Sequence, residues 1–180
     1  MQKVNLVCVG KLKEKFFADA VAEYVKRLGA FCAFRIAELP EKRTLAEEAP
    51  LILREVRGYA VVLAVEGRKM SSEQLAARMG QLCAEGKEIT FVVGSSCGLD
   101  KSVKDRADLL LSFSDMTFPH QLMRVIACEQ IYRAFMIGAG REYHKYPARF
   151  VNSSCRKSLW QSTLKTAKFR FIINLTSGFA

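Results

Sequence analysis

Residues 111–135, LSFSDMTFPHQLMRVIACEQIYRAF, run from an apolar stretch through a polar-aromatic loop into a long helix. The apolar stretch, LLLSF at 109–113, is short and bounded by polar residues, so it reads as a strand. From about 120 to 137, apolar residues return near helical spacing at Leu122, Val125, Ile126, Tyr132, Phe135 and Met136. Pro119 stands close to the helix start, where its missing N–H costs nothing. A buried strand passing over a loop into a covering helix is the repeating step of an α/β fold.

Working outward, the same step recurs. KVNLVCV (3–9) reads as a strand closed by Gly10, and 14–28 as an amphipathic helix with Phe17, Val21, Tyr24 and Leu28 on one face. CAFRIAE (32–38) is a second strand before Pro40. Residues 44–57 read as a helix with Thr44 as N-cap and Glu47 in the capping-box position, and Pro50 threatens to split it. YAVVLAV (59–65) is a third strand, apolar on both faces, with a turn expected at Glu66-Gly67-Arg68. Ser71-Ser-Glu-Gln starts a helix that runs to about Glu85, ITFVV (89–93) is a fourth strand, and a short helix spans about 100–107. Strands alternating with helices predict an α/β fold, a parallel-rich sheet with helices on both faces.

The chain has 180 residues, which suits one domain with its own core. Half the residues are hydrophobic and 26% are charged, a balance that excludes a disordered chain. No apolar run approaches the roughly 20 residues of a membrane span, and MQKVNLVCVGKLKEK is a poor secretory signal, so a cytoplasmic location without membrane contact is expected. Six cysteines stand at 8, 32, 83, 97, 128 and 155 without a CxxC, and only His120 and His144 accompany them. They read as small buried hydrophobes in a reducing compartment, and no metal is expected.

The formal net charge is +10, but it is unevenly spread. Six of the 28 basic residues and none of the 18 acidic ones follow Lys145, so residues 1–145 carry only +4. Residues 1–145 are therefore read as the domain, and 146–180 as a basic C-terminal extension. Its composition, with Trp160 and several Phe, suits either contact with a polyanion such as RNA or DNA or a segment with no fixed fold.

Ligands of open α/β sheets sit beyond the carboxyl ends of the strands. Three loops occupy that place, after Leu63, after Val93 and after Phe113. The second, Gly94-Ser-Ser-Cys-Gly98, offers two glycines but is neither GxGxxG nor GxxxxGK[ST]. The third places two Phe, a Met and a His in nine residues, which suits a flat ligand such as adenine or, equally, simple helix packing. His120 could act as a base or an orienter, or be a structural residue at the helix start. Glu129 falls near the apolar stripe and should pair with Arg133 at i+4. Arg124 and Arg133 are candidates for holding RNA phosphate.

Three blocks in order carry a resemblance: VNLVCVGKLKEKFF…EYVKRL at the start, FVVGSSCGL at 91–99, and LSFSDMTFPHQLMRVIACEQIYRAF followed by REYHK at 141–145. Together they resemble the RlmH (YbeA-type) family of SPOUT methyltransferases, across Met1 to Lys145. The resemblance implies an α/β knot with a deep C-terminal trefoil, a feature ordinary connection rules would not yield, and a homodimer. It implies methyl transfer from S-adenosylmethionine to N3 of pseudouridine 1915 in 23S rRNA within the assembled ribosome. It places the cofactor at Leu63, Gly94, Phe113, Ser114, Asp115, Met116, Thr117 and Phe118. It assigns the catalytic segment to Tyr143, His144 and Lys145, with His144 as proton acceptor or orienter and Lys145 as phosphate or oxyanion partner, and Arg133 holding RNA. The chain departs from the family at Ser95, where a second glycine is usual, at Ala64, where an acidic residue is common, and in continuing past Lys145. An alternative is an inactive ribosome- or RNA-binding protein whose extension blocks the site. A flavodoxin-type nucleotide binder is disfavoured by the missing phosphate-loop motifs.

Overall fold

Five apolar runs become five parallel strands because each is flanked by a helix long enough to return the chain to the same end of the sheet. A computed structural model of the protein describes residues 1–141 and Tyr143. The basic extension 146–180, together with His144 and Lys145, lies outside the described residues. In chain order the elements are β1 (Lys3–Val9), α1 (Lys15–Leu28), β2 (Ala33–Leu39), α2 (Leu45–Glu55) and β3 (Tyr59–Lys69). There follow α3 (Ser72–Ala84), β4 (Ile89–Val93), α4 (Lys101–Asp105), β5 (Leu109–Ser112) and α5 (His120–Gly138).

The sheet order is β2-β1-β4-β3-β5. Steps toward β2 carry α1 and α3 on one face, and steps toward β5 carry α2 and α4 on the other. That is what one hand of crossover requires. β4 is buried throughout and β1 almost so, as central strands of a covered parallel sheet should be. One core lies under α1, α3 and α5 and includes Leu6, Leu28, Met79, Phe91, Ile131 and Phe135. The smaller core, under α2 and α4, includes Val7, Ile52, Val62, Val92 and Val103.

Local signals set several boundaries. The Thr44 side chain accepts from the Glu47 N–H, and Ser71 and Gln74 form a reciprocal capping box. α2 runs through Pro50 unsplit, because Ala49 and Ile52 beside it are buried and hold the helix against the sheet.

Two expectations are corrected. No turn forms at Glu66-Gly67-Arg68; instead β3 continues to Lys69 past a register shift, so that Leu111 pairs with both Leu63 and Arg68. Both parts of β3 thus pair with β5, and residues 64–67 arch out between them. The arch touches β5 at Gly67, where a Cβ would lie 2.6 Å from the Leu111 carbonyl carbon, so only glycine permits the close approach. Beyond β5 the chain enters α5, which packs on the same face as α1 and α3 and against both of them.

The second correction concerns α5. Its buried residues are Arg124, Ala127, Cys128, Ile131, Ala134 and Phe135, whereas Leu122, Ile126 and Met136 are half-exposed and belong to neither core. Arg124, a candidate for RNA, is only 1% exposed. It donates to the Val9 and Gly10 carbonyls at 2.6 and 3.0 Å and to Glu38 at 3.0 Å, which makes it a structural clamp.

Cys8, Cys32 and Cys128 are fully buried, and burial pushes each thiol up to about 12. In the unfolded chain these thiols ionise from about pH 9 upward, while the native state keeps them protonated. The unfolded state therefore binds fewer protons there, and stability falls as pH rises from about 9 toward 12. Each thiol contributes a slope of up to about 1.4 kcal/mol per pH unit. Urea midpoints measured from pH 7 to 11 are expected to be flat and then to drop, and the drop should be shallower in Cys128→Ala.

Candidate functional site

The carboxyl ends of β3, β4 and β5 open into a cavity of about 240 Å³. Leu63 to Glu66 form one wall, Val93 to Ser96 with Gly98 and Leu99 a second, and Leu111 to Ser114 with Met116, Thr117 and Phe118 the third. His120 and Met123 of α5 complete the lining. The three loops chosen by the strand-end rule therefore meet in one place.

Each loop is shaped before any ligand arrives. Gly94 packs so closely that a Cβ would meet the Gly98 carbonyl oxygen at 2.3 Å, and the loop closes on itself through the Gly98 N–H to the Ser95 carbonyl at 3.0 Å. In the third loop the buried Ser112 hydroxyl donates to the Ser114 carbonyl at 2.9 Å. The Ser114 hydroxyl accepts from the Met116 N–H at 3.0 Å, a local turn that fixes the backbone.

Of the eight residues expected at the cofactor, Leu63, Gly94, Phe113, Ser114, Met116, Thr117 and Phe118 line the cavity. Asp115 does not; its carboxylate is exposed and ion-paired with Lys69, which ties the third loop to the end of β3. Sequence reasoning missed Glu66 and Lys104, which are paired at 2.5 Å on the rim. The hydrogen bond from Lys104 holds the Glu66 carboxyl below its ordinary value, so it is an anion. The fit to an adenosyl group is good: apolar walls from Leu63, Leu99, Phe113 and Phe118 suit a flat ring, with backbone groups at the Gly94 and Ser114 turns for polar contacts.

Arg133 and Tyr143 lie elsewhere, and His144 and Lys145 fall outside the described residues. At the far end of α5, Arg133 donates to Glu129 at 2.5 and 2.9 Å, the expected i,i+4 pair. Tyr143 packs edge-on to Tyr132, lies under the Arg133 guanidinium at 4.9 Å and donates to Glu129 at 3.4 Å. Burial pushes its phenol up to about 12. Thirteen residues of helix separate His120 from Arg133, which is ~20 Å at 1.5 Å per residue. One copy of the chain therefore does not bring Arg133 and Tyr143 to its own cavity.

A five-stranded parallel α/β sheet with a cavity where the ends of β3, β4 and β5 meet is the frame of a SPOUT-type methyltransferase fold. The family described as "Predicted SPOUT methyltransferase" matches residues 2–144, and the chain belongs to it. Among curated relatives, the "Ribosomal RNA large subunit methyltransferase H" of Bifidobacterium adolescentis is 47% identical, the match covering 79% of this chain and 99% of that one. The protein of the same name from Streptococcus thermophilus strain CNRZ 1066 is 48% identical with the same coverage. A solved structure, "a probable methylase family protein" from Haemophilus influenzae, superposes with a TM-score of 0.50 at 10% identity, covering 96% of this chain and 88% of that one, and so supports the fold. Methyltransferases of this family take their methyl group from S-adenosylmethionine. No helix among the described residues is long and apolar enough to cross a membrane.

Proposed function

We propose that the protein methylates N3 of a pseudouridine in large-subunit ribosomal RNA, position 1915 of 23S rRNA, acting on assembled ribosomes as a homodimer. The observation that carries this reading is the preformed cavity at the ends of β3, β4 and β5, in a chain whose relatives are named as large-subunit rRNA methyltransferases. Leu63, Gly94, Phe113, Ser114, Met116, Thr117 and Phe118 would hold S-adenosylmethionine, with Asp115 anchoring their loop through Lys69. When bound, that cofactor supplies an electrophilic methyl group on a positively charged sulfur. The protein's work is then to align the base and to manage the N3 proton.

A second copy of the chain answers the ~20 Å gap along α5. Leu122, Ile126 and Met136 leave an unpartnered apolar stripe on that helix. An antiparallel α5 of the partner laid on the stripe would carry its own Arg133–Tyr143 end toward the first copy's cavity. There Tyr143 and His144 would serve the proton, Lys145 the phosphate or developing oxyanion, and Arg133 the RNA. Residues 146–180 are read as an extension beyond the methyltransferase domain.

The test uses the full chain and ribosomes from a strain lacking this methyltransferase. Transfer of radiolabelled methyl to a single pseudouridine of the large-subunit RNA is expected, with calorimetric binding of both S-adenosylmethionine and its demethylated product. No heat with either compound would overturn the reading.

A further inference from the structure

The segment Gly10–Phe16, GKLKEKF, serves no role in the cofactor cavity, yet it is held rigidly beside it. Arg124 grips the Val9 and Gly10 carbonyls, and the Lys13 N–H donates to the Gln121 side chain at 2.9 Å, one residue after His120 of the lining. Leu12 packs into the larger core, which turns its neighbours outward. Lys11, Lys13 and Lys15 are exposed, and none has an ion-pair partner among the described residues. Phe16, at the start of α1, is 62% exposed and braced by Phe17 at a ring-centroid distance of 4.3 Å.

A lone exposed aromatic ring is ordinary on a protein surface, and what singles this one out is the run of lysines beside it. Lys11, Lys13 and Lys15, without an ion-pair partner among the described residues, outnumber the one carboxylate of the segment, Glu14, and favour an anionic partner with flat faces. Single-stranded nucleic acid has both, since phosphates meet the lysines and a base stacks on the ring. A second copy of this chain fits less well. A two-fold contact through this patch would set the same three lysines against each other.

Resting on the reading of the protein as an RNA methyltransferase, we propose that Phe16 with Lys11, Lys13 and Lys15 forms a stacking platform for an unpaired nucleotide of the RNA substrate, beside the methyl-transfer cavity. The pinned loop fixes the distance from platform to cavity, so the platform helps set which nucleotide reaches it.

The experiment compares wild type with Phe16→Ala, Phe16→Trp and the triple variant Lys11→Ala, Lys13→Ala, Lys15→Ala. The first arm measures methyl transfer to the deficient ribosomes. Phe16→Ala is expected to raise KM for ribosomes about 10-fold, the size of one stacking contact, with kcat and calorimetric cofactor affinity within a factor of two. Phe16→Trp should restore KM. The second arm measures binding of a fluorescent single-stranded RNA oligonucleotide across a salt series. The triple variant should flatten the log–log salt dependence by about 2. Unchanged KM and RNA affinity in Phe16→Ala would overturn the platform even with an active wild type. So would a change in sedimentation that assigns the ring to self-association. An inactive wild type whose RNA binding still depends on Phe16 would sink the methyltransferase reading and leave the platform standing.

Discussion

Arg124→Ala is expected to lower the stability of the protein by about 3–5 kcal/mol, among the largest losses available to a single substitution here. The guanidinium is enclosed and spans three acceptors: the last carbonyl of β1, the Gly10 carbonyl and Glu38. Its removal leaves the two carbonyls without that donor and opens a void under α5. Arg124→Lys should recover only part of the loss, because one ammonium group cannot reach three acceptors in the directions a planar fork does. Glu38→Gln is the informative comparison. The Glu38 side chain is 39% exposed, so its share of the pair is worth ~1 kcal/mol or less. Urea unfolding at pH 7 measures all three. A Glu38→Gln loss as large as that of Arg124→Ala would show that the ion pair, and not the carbonyl clamp, is what matters. The clamp also joins the first turns of α5 to the Gly10–Phe16 loop, so partial unfolding in Arg124→Ala should begin there.

That this arginine is structural was not legible in the chain. In MRVIACEQ it looks like one more basic residue on a helix, and a basic residue in an RNA-binding protein invites a phosphate. Only the fold shows that α5 turns position 124 toward the end of β1. The apolar stripe of the same helix misled for a related reason: α5 is apolar on more than one side. Periodicity could not separate Ala127, Cys128 and Ile131, which face the core, from Leu122, Ile126 and Met136, which do not. The strands were easier. KVNLVCV after its exposed Lys3, and ITFVV, are buried on both faces, so they appear as apolar runs interrupted only by Asn5 and Thr90. The end of β3 was read as a turn because Glu-Gly-Arg looks the same whether glycine serves a tight turn or a close backbone approach. The three cavity loops were legible because a parallel sheet places its strand ends together. Asp115 stands in the same loop, and nothing in FSDMTF shows that its carboxylate turns to Lys69.

Gly94→Ala is expected to weaken S-adenosylmethionine binding by about 30–100-fold, which corresponds to ~2–3 kcal/mol. The added methyl would stand 2.3 Å from the Gly98 carbonyl oxygen and 2.8 Å from Leu99. The first is backbone, so the loop 95–98 must move outward, and it carries Ser95, Ser96 and Gly98 of the cavity wall with it. Overpacking of this kind costs ~1–3 kcal/mol, and the cofactor would meet a wall already displaced. Gly86→Ala provides the control for a general loss of stability. Gly86 has φ +69° and nothing within 4 Å of its would-be Cβ, so alanine there strains the backbone without touching the cavity. It should cost ~1 kcal/mol in urea and leave cofactor affinity unchanged. Calorimetric titration of both variants separates the two effects. If Gly94→Ala binds the cofactor as tightly as Gly86→Ala does, the second loop is not part of the cofactor's wall. The methyl donor would then have to lie against the β3 arch and the Ser112–Phe118 loop alone, with Glu66 and Lys104 next in line for substitution.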